Sequence, residues 1–231
     1  MDYDTGEYLF AENAFVPVAP ASMIKLMTVY VLFSKLKDGT LSLEDVFSVS
    51  ENAWRTGGAA SGSSTMFLPI GSKVTVENLI KGIIIQSGND ACIVAAENIA
   101  GSEEDFAELM NAKAKELGLK NSHFVNSTGL PHPDHRMSAE DLARLAQALI
   151  RDFPEYYSVF SQKSFTYNNI LQGNRNPLLY SMPDADGLKT GHTAEAGFCL
   201  TASVKRGDRR LIGVMTGLKS NKERSEEAEK L

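Results

Sequence analysis

The stretch Pro20-Ala21-Ser22-Met23-Ile24-Lys25-Leu26-Met27-Thr28 opens a run that stays almost wholly apolar as far as Phe33. A segment apolar on every face reads as a helix buried on all sides. Within it only Ser22, Lys25 and Thr28 are strongly polar, and they recur at every third residue. Helical spacing places them on one narrow stripe, with the Lys25 amine within reach of the Ser22 hydroxyl. A lysine in such a helix is costly to desolvate, so it finds a partner or gives up its proton more easily. A serine beside an amine of that kind is the outline of an activated nucleophile. The competing reading is plainer: a serine capping the helix start and a lysine snorkelling to solvent. S-x-x-K is a short pattern that arises often by chance, so the rest of the chain has to decide.

With 231 residues, 43% of them hydrophobic, the chain can bury a substantial core as one large domain or two intergrown lobes. The net charge of −6 and the dispersed Lys and Arg residues argue against a general nucleic-acid binder. Cys92 and Cys199 sit in separate apolar runs and read as buried free thiols rather than a disulfide or a metal pair. No apolar run approaches the length of a membrane span, and no basic segment precedes an apolar one at the start. That leaves open a cytosolic chain or one from which a leader has been removed.

Asp4-Thr5-Gly6 predicts a turn between strands at Met1–Tyr3 and Glu7–Phe10, so the chain is expected to open as a hairpin. Asp2, Asp4 and Gly6 have calcium-loop spacing, but the glutamate such a loop needs is lacking, and a plain turn is the better reading. After the buried helix, Leu41–Val49 is expected to pair locally. Gly57 to Ser64 is a small-residue run, either a flexible loop or backbone packed closely against something. Helical periodicity returns at Val76, Leu79, Ile80, Ile83 and Ile84, breaks at Ser87-Gly88-Asn89, and resumes to about residue 100. An amphipathic helix follows from Glu103 to Leu117, stopped by Gly118, and Ser138-Ala139-Glu140-Asp141 opens another. From Tyr156 strands dominate: Ser164–Tyr167, then Phe198–Val204 and Leu211–Met215 as a hairpin, before a charged helix from Ser220. Strands at both ends and helices between them predict an α+β fold, an antiparallel sheet built from both chain ends with a mostly helical lobe inserted.

Two further motifs follow the S-x-x-K helix in order. Ser87-Gly88-Asn89 breaks two apolar helices, which would push a hydroxyl and an amide into a cleft. Lys189-Thr190-Gly191 precedes the Phe198 strand, and a glycine on an edge strand lets a ligand backbone approach closely. Each is weak alone; S-x-x-K, S-G-N and K-T-G in this order are a strong signal.

With these motifs the sequence resembles the penicillin-binding serine acyl transferases, specifically the low-molecular-mass D-alanyl-D-alanine carboxypeptidases. The similarity also runs through Asp2-Tyr3-Asp4-Thr5-Gly6, the block from Gly82 to Ala91, Asn174-Arg175-Asn176 and the block from Asp186 to Thr193. The resemblance implies a β-lactamase/transpeptidase-like fold, with a sheet lobe at about residues 1–36 and 152–231 and a helical lobe at about 37–151. It implies that Ser22 is the nucleophile acylated by a D-Ala-D-Ala peptide, and that Lys25 is the base, its pKa lowered by the charge of Lys189. Backbone N–H groups of Ser22 and His192 would form the oxyanion hole, Ser87 would relay the proton, and Asn89 would hold the substrate amide. Lys189 and Thr190 with Arg224, and Arg175 as a further candidate, would bind the terminal carboxylate, which an arginine fork suits, and Gly191 would line the substrate site. The partners implied are the peptidoglycan stem peptide and, as inhibitors, β-lactam antibiotics, at the periplasmic or extracytoplasmic face of the cell membrane. No cofactor, metal or nucleic acid is implied. The family often continues into a small β-rich domain and a membrane-lying helix, so this chain, ending at Leu231, is expected to be the acyl-transferase domain alone. The family often carries a histidine before the Gly-Leu of its central loop, where this chain has Ser127-Thr128-Gly129-Leu130.

Other functions fit less well. A class A β-lactamase shares the first and last motifs but needs a Glu-x-x-x-Asn element that is not found, and its middle triplet is S-D-N. A zinc carboxypeptidase would have only His132-Pro133-Asp134-His135 to draw on, which reads as a polar loop. A cell-wall binding module that has lost turnover would not be expected to keep all three motifs.

Overall fold

Helix α1 (Lys25–Lys37) forms the centre of the protein in a computed structural model that describes residues 1–230. A single 3-10 turn, Ala21–Ile24, leads into it. Every residue from Met23 to Phe33 is buried, as an all-round apolar segment requires. Tyr30 and Phe33 meet Phe153 edge-on, with ring centroids 4.9 and 5.6 Å apart, which adds specific geometry to the area they bury. No side chain caps the 3-10 turn or the helix. Lys25 is fully buried. The capping serine and snorkelling lysine are therefore not what forms.

Strand β1 (Val46–Ser48) pairs antiparallel with β2 (Lys73–Thr75), so the 41–49 segment finds its partner beyond the small-residue run rather than locally. Helix α2 (Val76–Lys81) starts where the Thr75 hydroxyl accepts the Asn78 N–H, and it widens into a π-turn at Gly82–Gln86. Helices α3 (Asn89–Ala100), α4 (Glu103–Glu116) and α5 (Ala139–Asp152) follow. The hydroxyls of Ser102 and Ser138 cap α4 and α5 by accepting the N–H groups of Asp105 and Asp141. A short hairpin, β3 (Ser164–Tyr167) and β4 (Ile170–Gly173), precedes helix α6 (Leu178–Ser181). Strands β5 (Ala185–Thr193), β6 (Gly197–Arg206) and β7 (Arg209–Leu218) form an antiparallel sheet in the order β5-β6-β7, and helix α7 (Asn221–Ala228) packs on it.

The first residues join this sheet at β7: Asp2 bridges Leu211, and the Met1 ammonium donates to the Ile212 carbonyl at 2.8 Å. Both chain ends thus build the sheet of an α+β fold. The predicted opening hairpin does not form. Asp2 Oδ1 accepts the N–H groups of Asp4 and Thr5, closing the turn, and the Asp2 N–H reaches the Glu7 carbonyl at 2.9 Å, but no ladder continues beyond it. Glu7–Phe10 forms no strand, and Leu9 and Phe10 are exposed. Cys92 and Cys199 are buried free thiols.

Candidate active site

The stripe on the 3-10 turn and α1 is read out directly. Lys25 Nζ lies 2.9 Å from Ser22 Oγ and 2.7 Å from Asn89 Oδ1, and it also donates to the Thr128 carbonyl. Two of these three partners are carbonyl oxygens, which can only accept. The three N–H groups of an ammonium fill this set, and so does a neutral amine that gives two N–H bonds to the carbonyls and takes the Ser22 O–H on its lone pair. Burial is the main reason that the Lys25 pKa falls to about 8, and the Arg175 charge adds to it; Cys92, Asp90 and Glu103 oppose it. Lys189 is buried too, and its pKa is also lowered, by burial first and by Lys25 and Arg175 after it. The expected charge of Lys189 is therefore not the leading cause for Lys25; desolvation is.

The turn that carries Ser22 is shaped by its neighbours. Ala21 has φ +49°, the left-handed region that L-residues avoid. Gly191 on β5 passes so near that a Cβ there would lie 3.1 Å from Ala21 Cβ and 3.2 Å from the Pro20 carbonyl. The missing side chain of Gly191 thus admits the nucleophile's own turn against the edge strand.

Opposite Ser22, Ser87 also takes a left-handed conformation, at φ 63°, where the π-turn ends and the Gly88 N–H closes on the Gly82 carbonyl at 2.9 Å. The break predicted at Ser87-Gly88-Asn89 is real. It leaves the Ser87 hydroxyl without a hydrogen bond among the described residues, on the wall of the cleft. Asn89 Nδ2 donates to Ser63 Oγ at 2.9 Å, and the Asn89 N–H donates to the Ser64 carbonyl at 2.7 Å. The small-residue run is thus closely packed backbone rather than a flexible loop.

Between these elements lies a cleft of about 610 Å³. Of the sequence-predicted residues, Ser22, Ser87, Asn89, Arg175, Thr190, Gly191, His192 and Arg224 line it. Lys25 and Lys189 lie beneath its surface, Lys189 with its ammonium 3.0 Å from the Thr190 carbonyl. The His192 ring stacks on Phe198 at 4.0 Å. Arg224, 7% exposed, donates to Asn221 Oδ1 at 2.5 Å and more weakly to the Cys199 carbonyl, and its Nε is buried without a partner. Arg175 donates to Ser64 Oγ at 2.6 Å. None of the four basic side chains Lys25, Lys189, Arg175 and Arg224 is paired with a carboxylate among the described residues. In a chain of net charge −6, that concentration of basic groups without acidic partners, two of them arginines, marks a site for an anion.

Sequence reasoning missed the loop 126–130. Thr28, the third residue of the polar stripe, donates to the Ser127 carbonyl at 2.8 Å, and Asn126 Oδ1 accepts the N–H groups of Thr128 and Gly129. Thr128, where the family often has a histidine, acts through its backbone carbonyl. The third position of the 22-25-28 stripe was the available signal. Nor is residues 132–135 simply a polar loop: His135 is buried, and burial pulls its pKa down to about 4. Among the described residues there is no cluster of three His, Cys, Asp or Glu that could hold a metal.

A Ser-Lys pair at the head of a central helix, facing an antiparallel edge strand across a cationic cleft, places the protein in the transpeptidase-like class of folds. The chain belongs to the D-alanyl-D-alanine carboxypeptidase family, peptidase S11, whose sequence model matches residues 1–220. It is 49% identical to the D-alanyl-D-alanine carboxypeptidase DacC of Escherichia coli (strain K12), over all of this chain and 58% of that protein. The chain spans about three-fifths of the length of the curated relatives it matches first. Penicillin binding protein 5 from Haemophilus influenzae superposes with a TM-score of 0.96 at 42% identity, covering all of this chain and 67% of that one. The Streptomyces K15 DD-transpeptidase gives a TM-score of 0.92 at 27% identity, covering all of this chain and 92% of that one.

Proposed function

We propose that this chain is the acyl-transferase domain of a serine-type D-Ala-D-Ala carboxypeptidase, removing the terminal D-alanine of peptidoglycan stem pentapeptides through a Ser22 acyl-enzyme. The observation that carries the reading is the buried Ser22–Lys25 contact, 2.9 Å long, with an amine whose pKa burial has lowered and whose other two partners are carbonyl oxygens. With its pKa near 8, roughly a tenth of Lys25 is neutral at pH 7, against roughly one part in 2,500 for an ordinary lysine.

The neutral Lys25 takes the Ser22 proton as Oγ attacks the carbonyl of the penultimate D-alanine, and the backbone N–H groups of Ser22 and His192 receive the developing oxyanion. One such donor is typically worth about 10²–10³ in rate. Ser87 passes a proton to the departing amine, after which water hydrolyses the ester. Asn89 orients both Lys25 and the substrate amide. Arg224, Arg175, Thr190, Gly191 and Lys189 form the carboxylate seat, which is why these cations lack acidic partners in the protein itself. A β-lactam, carrying a carboxylate beside a reactive amide, acylates Ser22 in the same way. We read the cleft as the seam between a sheet lobe (about 1–36 and 152–231) carrying Ser22 and Lys189 and a helical lobe (about 37–151) carrying Ser87 and Asn89. Its place of action is the extracytoplasmic face of the membrane, where peptidoglycan lies; no helix among the described residues is long and apolar enough to cross that membrane.

The test is labelling with a fluorescent penicillin, with Ser22→Ala as control, followed by assay of D-alanine release from a pentapeptide ending in D-Ala-D-Ala. Label lost in Ser22→Ala, and D-alanine released by the wild type, are expected. Absence of Ser22-dependent label sinks the acyl-enzyme; label without D-alanine release, but with cut cross-bridges, makes it an endopeptidase.

A further inference from the structure

The loop that offers its carbonyl to Lys25 is held at three points. Asn126 Oδ1 accepts the N–H groups of Thr128 and Gly129, at 3.1 and 2.8 Å. Thr28 donates to the Ser127 carbonyl at 2.8 Å. The third hold comes from a different helix: the carboxylate of Glu103, in the first turn of α4, accepts the Ser127 hydroxyl at 2.6 Å and the Ser127 N–H at 3.2 Å. Ser127 is fully buried, and the next carbonyl along is the one that takes the Lys25 N–H.

A neutral acceptor would suffice to hold Ser127, yet the residue is ionic. Glu103 takes part in no ion pair among the described residues and does not line the cleft. The groups whose charge bears on Lys25 come from four elements besides its own. They are Asp90 and Cys92 of α3, Lys189 of β5, Arg175 of the segment before α6, and Glu103 of α4. The Asp90 carboxylate is saturated by Thr65 and by the N–H groups of Met66, Leu68 and Ala91, so its role is to hold that segment. Glu103 is the acid tied to an acceptor of the amine itself.

We propose that Glu103 is a positioning residue for the base: through Ser127 it fixes the Thr128 carbonyl against Lys25, and it brings a negative charge close to the amine. The proposal rests on the reading of Ser22 and Lys25 as nucleophile and base. Glu103 holds Lys25 in its protonated form to higher pH, so removing the charge favours the neutral base. The carboxylate thus trades a share of the neutral amine at low pH for a fixed geometry.

The experiment is the rate of Ser22 acylation by a fluorescent penicillin across pH 5–10 for the wild type, Glu103→Gln, Glu103→Ala and Glu104→Gln, the last an exposed neighbour on the same turn. Glutamine keeps an acceptor for Ser127 and loses the charge. Its base limb is expected to move to lower pH by about 0.3–0.5 unit, a two- to threefold gain in neutral amine on the acid side. Glu103→Ala is expected to show the same displacement with a plateau reduced about tenfold, because the carbonyl is no longer held. Glu104→Gln is expected to match the wild type. A purely structural Glu103 would lower the plateau and leave the limb in place, so a Glu103→Gln limb at the wild-type pH overturns the proposal. So does an equal displacement in Glu104→Gln. A wild type that forms no Ser22-dependent adduct overturns the acyl-enzyme reading instead, and this inference falls with it.

Discussion

Asn89 is held from both sides: its Oδ1 accepts from Lys25 at 2.7 Å while its Nδ2 donates to Ser63 at 2.9 Å. The amide therefore presents the amine with a neutral acceptor in a fixed orientation. Asn89→Asp keeps the shape and puts a carboxylate in that place. An acid in direct contact favours the ammonium, so the Lys25 pKa is expected to rise from about 8 towards the ordinary lysine value near 10.4. The base limb of Ser22 acylation should move up by about 1–2 pH units, and the rate at pH 7 should fall by roughly ten- to a hundredfold. A pH–rate profile checks this; a limb that stays near 8 would show that Lys25 is not the group being titrated.

Gly129 and Ala21 constrain each other. Gly129 has φ +84°, and a Cβ there would lie 2.2 Å from the Ala21 carbonyl, with Ala21 itself in the left-handed region. Gly129→Ala has to push the residue preceding the nucleophile out of place. The expected cost is about 1–3 kcal/mol in stability. The acylation rate should fall by about ten- to a hundredfold well below the melting temperature, because small displacements of reacting groups are costly. Thermal denaturation and acylation kinetics measured on the same sample separate the two effects.

Much of this site is legible in the sequence because it is written in local spacing. Ser22 and Lys25 are one helical turn apart, the break at Ser87 interrupts two apolar helices, and Gly191 precedes the apolar Phe198 strand. What stays hidden depends on contacts between distant segments. Thr28 looks like packing until Ser127, 99 residues later, brings its carbonyl to it. The 57–64 run is ambiguous because small residues suit both a free loop and a close approach, and only the bond from the Asn89 N–H to the Ser64 carbonyl decides. The opening hairpin stops at its turn: the Asp2 N–H reaches the Glu7 carbonyl, but Leu9 and Phe10 beyond it stay exposed, and the sheet partner of Asp2 is Leu211, at the far end of the chain. The lowered Lys25 pKa likewise depends on the degree of burial, which the whole core sets, more than on a neighbouring charge that a motif can display.

Among the described residues Arg224 has a buried Nε without a partner and no ion pair, and burial together with Arg175 pulls its pKa down. A ligand carboxylate would relieve both. Arg224→Gln is expected to raise KM for a peptide ending in a free carboxylate by about ten- to a hundredfold, the worth of a charge-assisted hydrogen bond. Arg224→Lys should be intermediate, since it keeps the charge and loses the fork. A peptide amidated at its terminus should bind the wild type and Arg224→Gln equally poorly. If Arg224→Gln weakens both peptides alike, the arginine supports the fold of α7 rather than the ligand.

His135 sets an acid limit on stability. It is 2% exposed, its Nδ1 accepts the Val125 N–H at 3.3 Å, and its Nε2 has no partner among the described residues. Burial is the largest cause of its pKa falling from 6.5 to about 4, with His123 and His132 adding to it. Between those two values the unfolded chain binds the proton that the folded chain refuses, so unfolding free energy rises with pH across this window and is lost as pH falls through it. At about 1.4 kcal/mol for each pH unit, the loss from pH 6.5 to pH 4 is about 3 kcal/mol. His135→Gln keeps an acceptor for Val125 and cannot titrate. Chemical denaturation between pH 4 and 7 should therefore show a shallower decline for the variant, with the two proteins diverging most near pH 4. Parallel curves would place the acid sensitivity in the carboxylates instead.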